Sequence, residues 1–415
     1  MQGNDIPTDV ALRADAEPAQ HTTNDHHAGR LASAVPGDRR GAVRASLARL
    51  DGIVQAAGIT DAPAGLVSGG GQHSPRPGYC DGGAIGSVGR TSIVDGLAFD
   101  QVVASNGYIW WYLDALSDDG QHGLTIIAFI GSVFSPYYAN ARRRAAALGG
   151  AGAGADAGAN PLDHCSLNVS LYSTDKKHWT MTERRQTAIH RDATTLQIGS
   201  SALRWADNTL TIDIDEVTVP WPSRVRGQII VHVPSITQAT FNLDEAGRHR
   251  WKPLAPSARI DVQLNRPERA WQGAAYLDSN AGDEPLEDAF VGWQWCRAAL
   301  PDGHTIVMYD GQRHDGSLFT LGKSFDRDGN MTPFDLPPRA NLPATSWQLP
   351  RSTFSEADFV PVIAKPLEDG PFYARSLVAL RLNQQSAMAF HETLSLDRFR
   401  SRWVQAMLPF RMPRR

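Results

Sequence analysis

The sequence is poor in the features that mark many familiar protein classes. Three cysteines, Cys80, Cys165 and Cys296, are scattered through 415 residues with no C-x-x-C pair. That excludes a disulfide framework and a zinc ribbon, and it fits a reducing compartment. No apolar run reaches the roughly 18 residues needed to cross a bilayer. The greasiest stretch, Leu124 to Phe134, is broken by Gly131 and Ser132. The first twenty residues lack an apolar core, which argues against a Sec-type signal peptide, and Arg39-Arg40 is followed by a charged, amphipathic segment. The expected location is therefore the cytoplasm. Charge of one sign is missing too: 40 basic residues face 44 acidic ones, a net charge of −4. No strongly basic domain is available for nucleic acid. The usual site motifs (G-x-S-x-G, H-E-x-x-H, Walker A, G-x-G-x-x-G) do not occur. The stretch Asp278–Asp283 resembles a calcium loop only briefly, with Asp283 where loop position 6 needs Gly and Ala289 where position 12 needs Glu. No metal site and no cofactor is expected, so any catalysis should run on side chains alone.

Aromatics are absent from residues 1–78, which are rich in Ala, Gly, Pro, Asp and His. A segment without large apolar groups cannot offset its ordering entropy and is expected to be disordered. Within it, Val43, Leu47, Leu50, Ile53 and Val54 recur at helical spacing over residues 40–57.

From Tyr79 onward the chain changes character and reads as all-β. Short runs rich in Val, Ile, Thr and Leu (LTIIAF, CSLNVSLYS, TLTIDIDEVTV, GQIIVHVPS, ARIDVQL, HTIVMYDG, SLVALRLN) are bounded by Gly, Pro, Asn and Asp. Several alternate apolar with polar, as a strand with one wet face does. Asp-Gly pairs at 119, 302, 315 and 328 supply hairpin turns. Nothing alternates strand with long helix, so antiparallel barrels or sandwiches are expected. The Ala/Gly stretch 143–160 reads as a loop inserted between strands. The polar, Pro-containing stretch Asn265–Glu268 is taken as a boundary, giving two β-domains, 79–265 and 266–400. The basic tail 401–415 follows. From Arg398 to the end there are six Arg and no acid, interleaved with Phe399, Trp403, Val404, Met407, Leu408 and Phe410. That pattern suits a helix lying on an anionic membrane and, equally, one docked on a barrel with a basic outer face.

Aromatic density is the strongest signal. One block runs from Gly107 to Asp114 (GYIWWYLD) and is followed by Ser135-Pro136-Tyr137-Tyr138; another runs from His249 and Trp251 through Trp271, Tyr276 and Asp278 to Trp293 and Trp295. Any one ring could be core. Clustered with a His and an Asp, they suit a cavity for a large apolar or cationic species.

The blocks GYIWWYLDALSDDGQHGLTIIAFIGSVFSPYY, RWKPLAPSARIDVQL and GAAYLDSNAGDEPLEDAFVGWQWCRA, in that order, resemble the carotenoid 1,2-hydratases of purple phototrophic bacteria, over about residues 80–400. The resemblance implies two lipocalin-like β-domains with the ligand between them. It implies cofactor-free addition of water across the terminal 1,2 double bond of acyclic carotenoids such as neurosporene and lycopene, giving 1-hydroxy carotenoids. Carried over motif by motif, the family's functional residues fall on His249, Trp251, Tyr276 and Asp278. In many wider relatives a His follows shortly after the Asp, but here the block reads Tyr276-Leu277-Asp278-Ser279-Asn280, which fits the hydratase branch.

The chemistry makes independent sense. An isolated alkene is a poor base, so hydration needs a strong acid in a dry site. Asp278, buried among Tyr276, Trp293 and Trp295, would stay protonated near neutrality. Trp251 and Tyr276 would face the developing cation, while His249 could orient the acid, reload it or hold water. Trp110, Trp111, Tyr137 and Tyr138 are candidate tunnel lining, with core packing as the competing reading for each. A membrane-dissolved substrate points to peripheral association with the cytoplasmic membrane face. The main alternative is a non-catalytic lipocalin-like carotenoid or lipid carrier. A carbohydrate-active β-protein is disfavoured because apolar strands flank the aromatic blocks.

Overall fold

A computed structural model describes residues 97–148, 158–173 and 176–415. The expected disordered segment 1–78, with its helical period at 40–57, lies outside the described residues. In chain order the first group of strands is β1 (Tyr108–Ser117), β2 (Gly123–Ile130), β3 (Cys165–Tyr172), β4 (His178–Arg184), β5 (Ile189–Arg191), β6 (Thr195–Ile198), β7 (Ser201–Ala206), β8 (Thr209–Val217), β9 (Arg224–His232), β10 (Phe241–Asn242), β11 (His249–Arg266) and β12 (Glu268–Gly282). The second is β13 (Phe290–Ala299), β14 (Thr305–Arg313), β15 (Leu318–Phe325), β16 (Met331–Pro333), β17 (Arg339–Leu342), β18 (Arg351–Phe354), β19 (Val362–Asp369), β20 (Tyr373–Leu382) and β21 (Gln385–Ser395).

Strands β1 to β12 make one antiparallel sheet in the order β4-β3-β2-β1-β12-β11-β9-β8-β7-β6-β5, with β10 on β11. A bridge from Thr180 to Thr218 brings β4 back towards the end of β8, so the sheet nearly closes into a barrel. A seven-stranded antiparallel sheet follows the order β16-β15-β14-β13-β21-β20-β19, and β17 pairs with β18 alone. The expected all-β, antiparallel architecture is what the chain adopts.

Burial follows the sequence pattern. In β8 every second residue (Leu210, Ile212, Ile214, Glu216) is buried, because only one face meets the barrel core. In β1 and β2 both faces are covered. Ile109, Trp111, Leu113 and Ala115 enter the barrel core with Leu97 and Phe99. Tyr108, Trp110 and Tyr112 turn the other way and pack with Trp293, Trp295 and Tyr309 of the second sheet. The aromatic blocks thus become a buried layer between the two sheets.

Two expectations about organisation change, and a third is resolved. Asn265–Glu268 is the tip of the β11–β12 hairpin, where Asn265 pairs with Glu268 inside one sheet. The chain leaves the first sheet only after Gly282, so the expected boundary at 265/266 falls within a strand pair: a polar tip with Pro marks a tight turn as well as it marks a linker. The start of the Ala-rich stretch is helical, since α1 spans Pro136–Leu148 with the Ser135 hydroxyl accepting from the Tyr138 amide. The segment 401–415 is docked, one of the two readings that its sequence left open. Beyond the one-turn α2 (Leu286–Ala289), α3 (Leu396–Arg400) and α4 (Arg402–Met407) bury Phe399 and Val404. The amide of Arg415 then donates to the Glu183 carbonyl, and Arg414 pairs with the Glu183 carboxylate. Among the described residues no helix is long and apolar enough to cross a membrane.

The β1–β12 register, which sets Tyr112 opposite Asp278, tolerates no side chain at Gly273. A Cβ there would lie 2.0 Å from the Leu116 carbonyl oxygen, which is backbone and cannot swing away. Gly273→Ala is expected to cost about 2 kcal/mol or more through overpacking, read as a lower urea midpoint at unchanged slope.

Candidate active site

Alternation along β12 puts Tyr276, Asp278 and Asn280 on the face that meets the second sheet. On β1, Asp114, Tyr112 and Trp110 lie opposite them in that order. On the other side of β12, Trp251 of β11 is registered with Asn280, and the ladder is irregular between Lys252 and Ala258. Pro253 and Pro256 fall in that irregular stretch and have no N–H to give the ladder. Beside the bulge, the Trp251 indole reaches Asp278.

The result is an uneven carboxyl. Its Oδ2 accepts from Trp251 Nε1 at 2.9 Å and from the Tyr276 hydroxyl at 2.8 Å. Its Oδ1 has no partner among the described residues. Asp278 is 3% exposed. Loss of hydration pushes its pKa up, the two donors oppose that, and the Glu392 charge adds to the rise, for a value of about 7. Burial likewise holds the Tyr276 phenol far above its usual range. Asp278 therefore keeps its proton in about half of the molecules at pH 7 and in most of them below it, and its unpartnered oxygen is the one free to carry that proton.

Rings wall the acid. Trp295 lies 5.5 Å from Tyr276 and 5.4 Å from Tyr112; Tyr309 lies 6.1 Å from Trp251 and 5.7 Å from Trp293. Behind Tyr276, the Arg297 guanidinium sits 5.6 Å from the ring centre and pairs with Asp114, joining β13 to β1 with both partners buried. Burial lowers the Arg297 pKa to about 10.

His249 lies apart from the acid. Its Nδ1 meets the Tyr108 hydroxyl at 2.9 Å and its Nε2 meets Glu284 at 3.3 Å. Neither nitrogen bonds Asp278, so of the three expected roles, direct orientation of the acid is the one the geometry does not provide. Burial lowers the His249 pKa, keeping the ring neutral.

The structure brings Asp278, Tyr276, Trp251, Trp293, Trp295 and Trp110 into the layer between the sheets. Three expected lining residues are elsewhere. Trp111 points into the barrel core, where its Nε1 donates to the Leu97 carbonyl and its ring packs edge-on to Phe99. A one-residue step along a strand reverses the face, so two adjacent Trp cannot line one slot. Tyr138 is pinned to the Gly107 carbonyl and stacked on His164, while Tyr137 lies near Arg414. Tyr112, Asn280, Arg297 and Tyr309 are the site neighbours that sequence reasoning missed. The first two could have been found by counting every second residue from Trp110 and Asp278. Among the described residues no group of three or more His, Cys, Asp or Glu is placed to hold a metal ion.

Residues 126–415 match the family model described as carotenoid hydratase CrtC. The chain belongs to the carotenoid hydratase family. It is 46% identical to the acyclic carotenoid 1,2-hydratase of Thiocapsa roseopersicina, over 100% of this chain and 99% of that one. It is 44% identical to the acyclic carotenoid 1,2-hydratase of Rubrivivax gelatinosus, over 96% and 95%. Among solved structures, a Nitrosomonas europaea protein assigned as AttH aligns at 15% identity, over 75% of this chain and 99% of that one, with a TM-score of 0.48. Membership of the hydratase family makes the chain an enzyme.

A neutral acid works below its pKa and fails above it, so an activity that depends on Asp278 declines as pH rises through about 7. Trp251→Phe removes a donor that favours the carboxylate, which raises the acid's pKa. The alkaline limb of the kcat profile is expected to move up by about one pH unit, alongside a lower plateau; a limb that stays put or moves down contradicts the assignment.

Proposed function

We propose that this hydratase acts on the terminal 1,2 double bond of acyclic carotenoids such as neurosporene and lycopene, with Asp278 as the proton donor and no cofactor. The observation that carries the reading is a buried aspartic acid with one oxygen held by Trp251 and Tyr276 and the other unpartnered. The Oδ1 proton goes to C2 of the alkene. Markovnikov protonation leaves a tertiary cation at C1, which water captures. The rings of Trp251, Tyr276 and Trp295 present π-faces to charge that exists only as the barrier is crossed. Each such contact contributes about 0.5–2 kcal/mol, and because it strengthens with the charge it lowers the barrier rather than tightening ground-state binding. His249, fixed between Tyr108 and Glu284, keeps one end of the layer in place.

The substrate dissolves in membranes, and a docking surface supports peripheral association. Trp347 (43% exposed) stacks on Trp403 (49%) at 6.0 Å, and Phe410 (73%) is exposed nearby in sequence. The segment's arginines give this patch a basic character suited to an anionic bilayer. From Phe399 in α3, ring contacts at 5.9, 6.3 and 6.0 Å run through Phe134 and Phe129 to Trp110 beside the site, so a continuous apolar layer links this end of the chain to the acid.

Asp278→Asn keeps the shape and removes the proton. Purified variant incubated with lycopene and no added cofactor is expected to form 1-hydroxylycopene at least ~1,000-fold more slowly than the parent; a rate near that of the parent contradicts the assignment. Replacing both Trp403 and Phe410 by Glu is expected to weaken co-sedimentation with anionic liposomes by about tenfold or more while leaving turnover of detergent-dispersed lycopene intact. Unchanged sedimentation would remove this surface from the account.

A further inference from the structure

Asn280 is 4% exposed and shares the face of Asp278 two residues along β12. Its side chain lies between Trp110 on one neighbouring strand and Trp251 on the other, with the Tyr309 phenol close by. Its Nδ2 has no partner among the described residues. A buried amide donor left unpaired costs free energy unless something polar meets it, and here the walls are indole and phenol rings. Two residues along a strand span roughly 7 Å. Two unpartnered polar atoms, one a proton donor and one an amide, therefore project from positions about as far apart as the end of a trisubstituted alkene with a water beside it.

We propose that Asn280 is the water-positioning residue of the hydration: its amide holds the water that adds to C1 while Asp278 serves C2. This rests on the reading of Asp278 as the acid and extends it to the second half of the reaction. The Asp278 Oδ1–H bond breaks and a C2–H bond forms, leaving a carboxylate and a C1 cation. The water on Asn280 gives its lone pair to C1, forming the C–O bond. The proton it then sheds passes to Asp278 Oδ1, which restores the acid, so both new bonds form on one face of the alkene. Without a held water, the cation's available fate is to return a proton to the same carboxylate and collapse to an alkene.

Isotope exchange separates these fates. Asn280→Leu removes the amide at similar volume, and Asn280→Ser keeps a short donor. Each full-length variant is incubated with lycopene in D2O, and both 1-hydroxylycopene and deuterium in recovered lycopene are measured. For Asn280→Leu, hydration is expected to fall about thirtyfold or more, while deuterium enters recovered lycopene, at C2 or as the isomer with a terminal methylene, at a rate within about threefold of the parent's hydration rate. Asn280→Ser should recover part of the hydration, and it carries the test alone if the Leu variant does not fold. Hydration and exchange falling together in a folded variant, or hydration persisting in Asn280→Leu, overturns the proposal. Asp278→Asn should show neither hydration nor exchange. Exchange surviving there would instead refute Asp278 as the acid, whatever Asn280 does.

Discussion

Everything in the site depends on a balance at one carboxyl group. Burial among aromatic rings disfavours a charged Asp278, whereas the Trp251 and Tyr276 donors favour it. Without those donors Oδ2 would be an unsatisfied buried acceptor and the acid would be too weak. With more of them, Asp278 would ionise and have no proton to give. Both donors meet the same oxygen, and this leaves Oδ1 free for the proton. On the proposed mechanism, the charge-stabilising groups are π-faces, which respond to a cation and do little for the neutral polyene.

The fold supplies that environment by covering both faces of β1, β2 and the halves of β11 and β12 next to the site. One face closes the barrel on aliphatic side chains, and the other carries the aromatics against the second sheet. Within this otherwise apolar layer, two buried ion pairs are placed with care. Arg297 joins Asp114 across the sheets beneath Tyr276, and Arg375 joins Glu392, with Tyr172 accepting a hydrogen bond from its guanidinium. Such pairs are weak contributors to net stability once desolvation is counted. Their value here is positional: they fix the rings of Tyr276 and Tyr112, against which the guanidinium groups lie. The Glu392 carboxylate also adds its field to the rise in the Asp278 pKa.

Much of this was legible in the residues. Period-two alternation in the Thr209–Val217 strand and the Asp-Gly turns pointed to antiparallel sheets, which the structure contains. The aromatic blocks marked the layer that holds Asp278, Tyr276 and Trp251. Other features were not legible, for physical reasons. Adjacent Trp110 and Trp111 look equivalent until strand alternation assigns them to opposite faces. The tip of a long hairpin and a linker between domains share the same polar, Pro-containing composition, so residues 265–268 could not be told apart from a boundary. Arg297 and Tyr309 come from the second sheet and carry no local motif; only the register of β13 on β14, pairing Trp295 with Tyr309, brings them in.

The central claim is that Asp278 holds a proton at neutral pH, and the infrared difference spectrum between the parent protein and Asp278→Asn, followed from about pH 4 to pH 9, reads that proton directly. The account predicts a protonated carboxyl band that persists at pH 6 and fades with a midpoint near 7. A band already gone by about pH 5 would show an ordinary ionised aspartate, and the acid would have to be sought elsewhere.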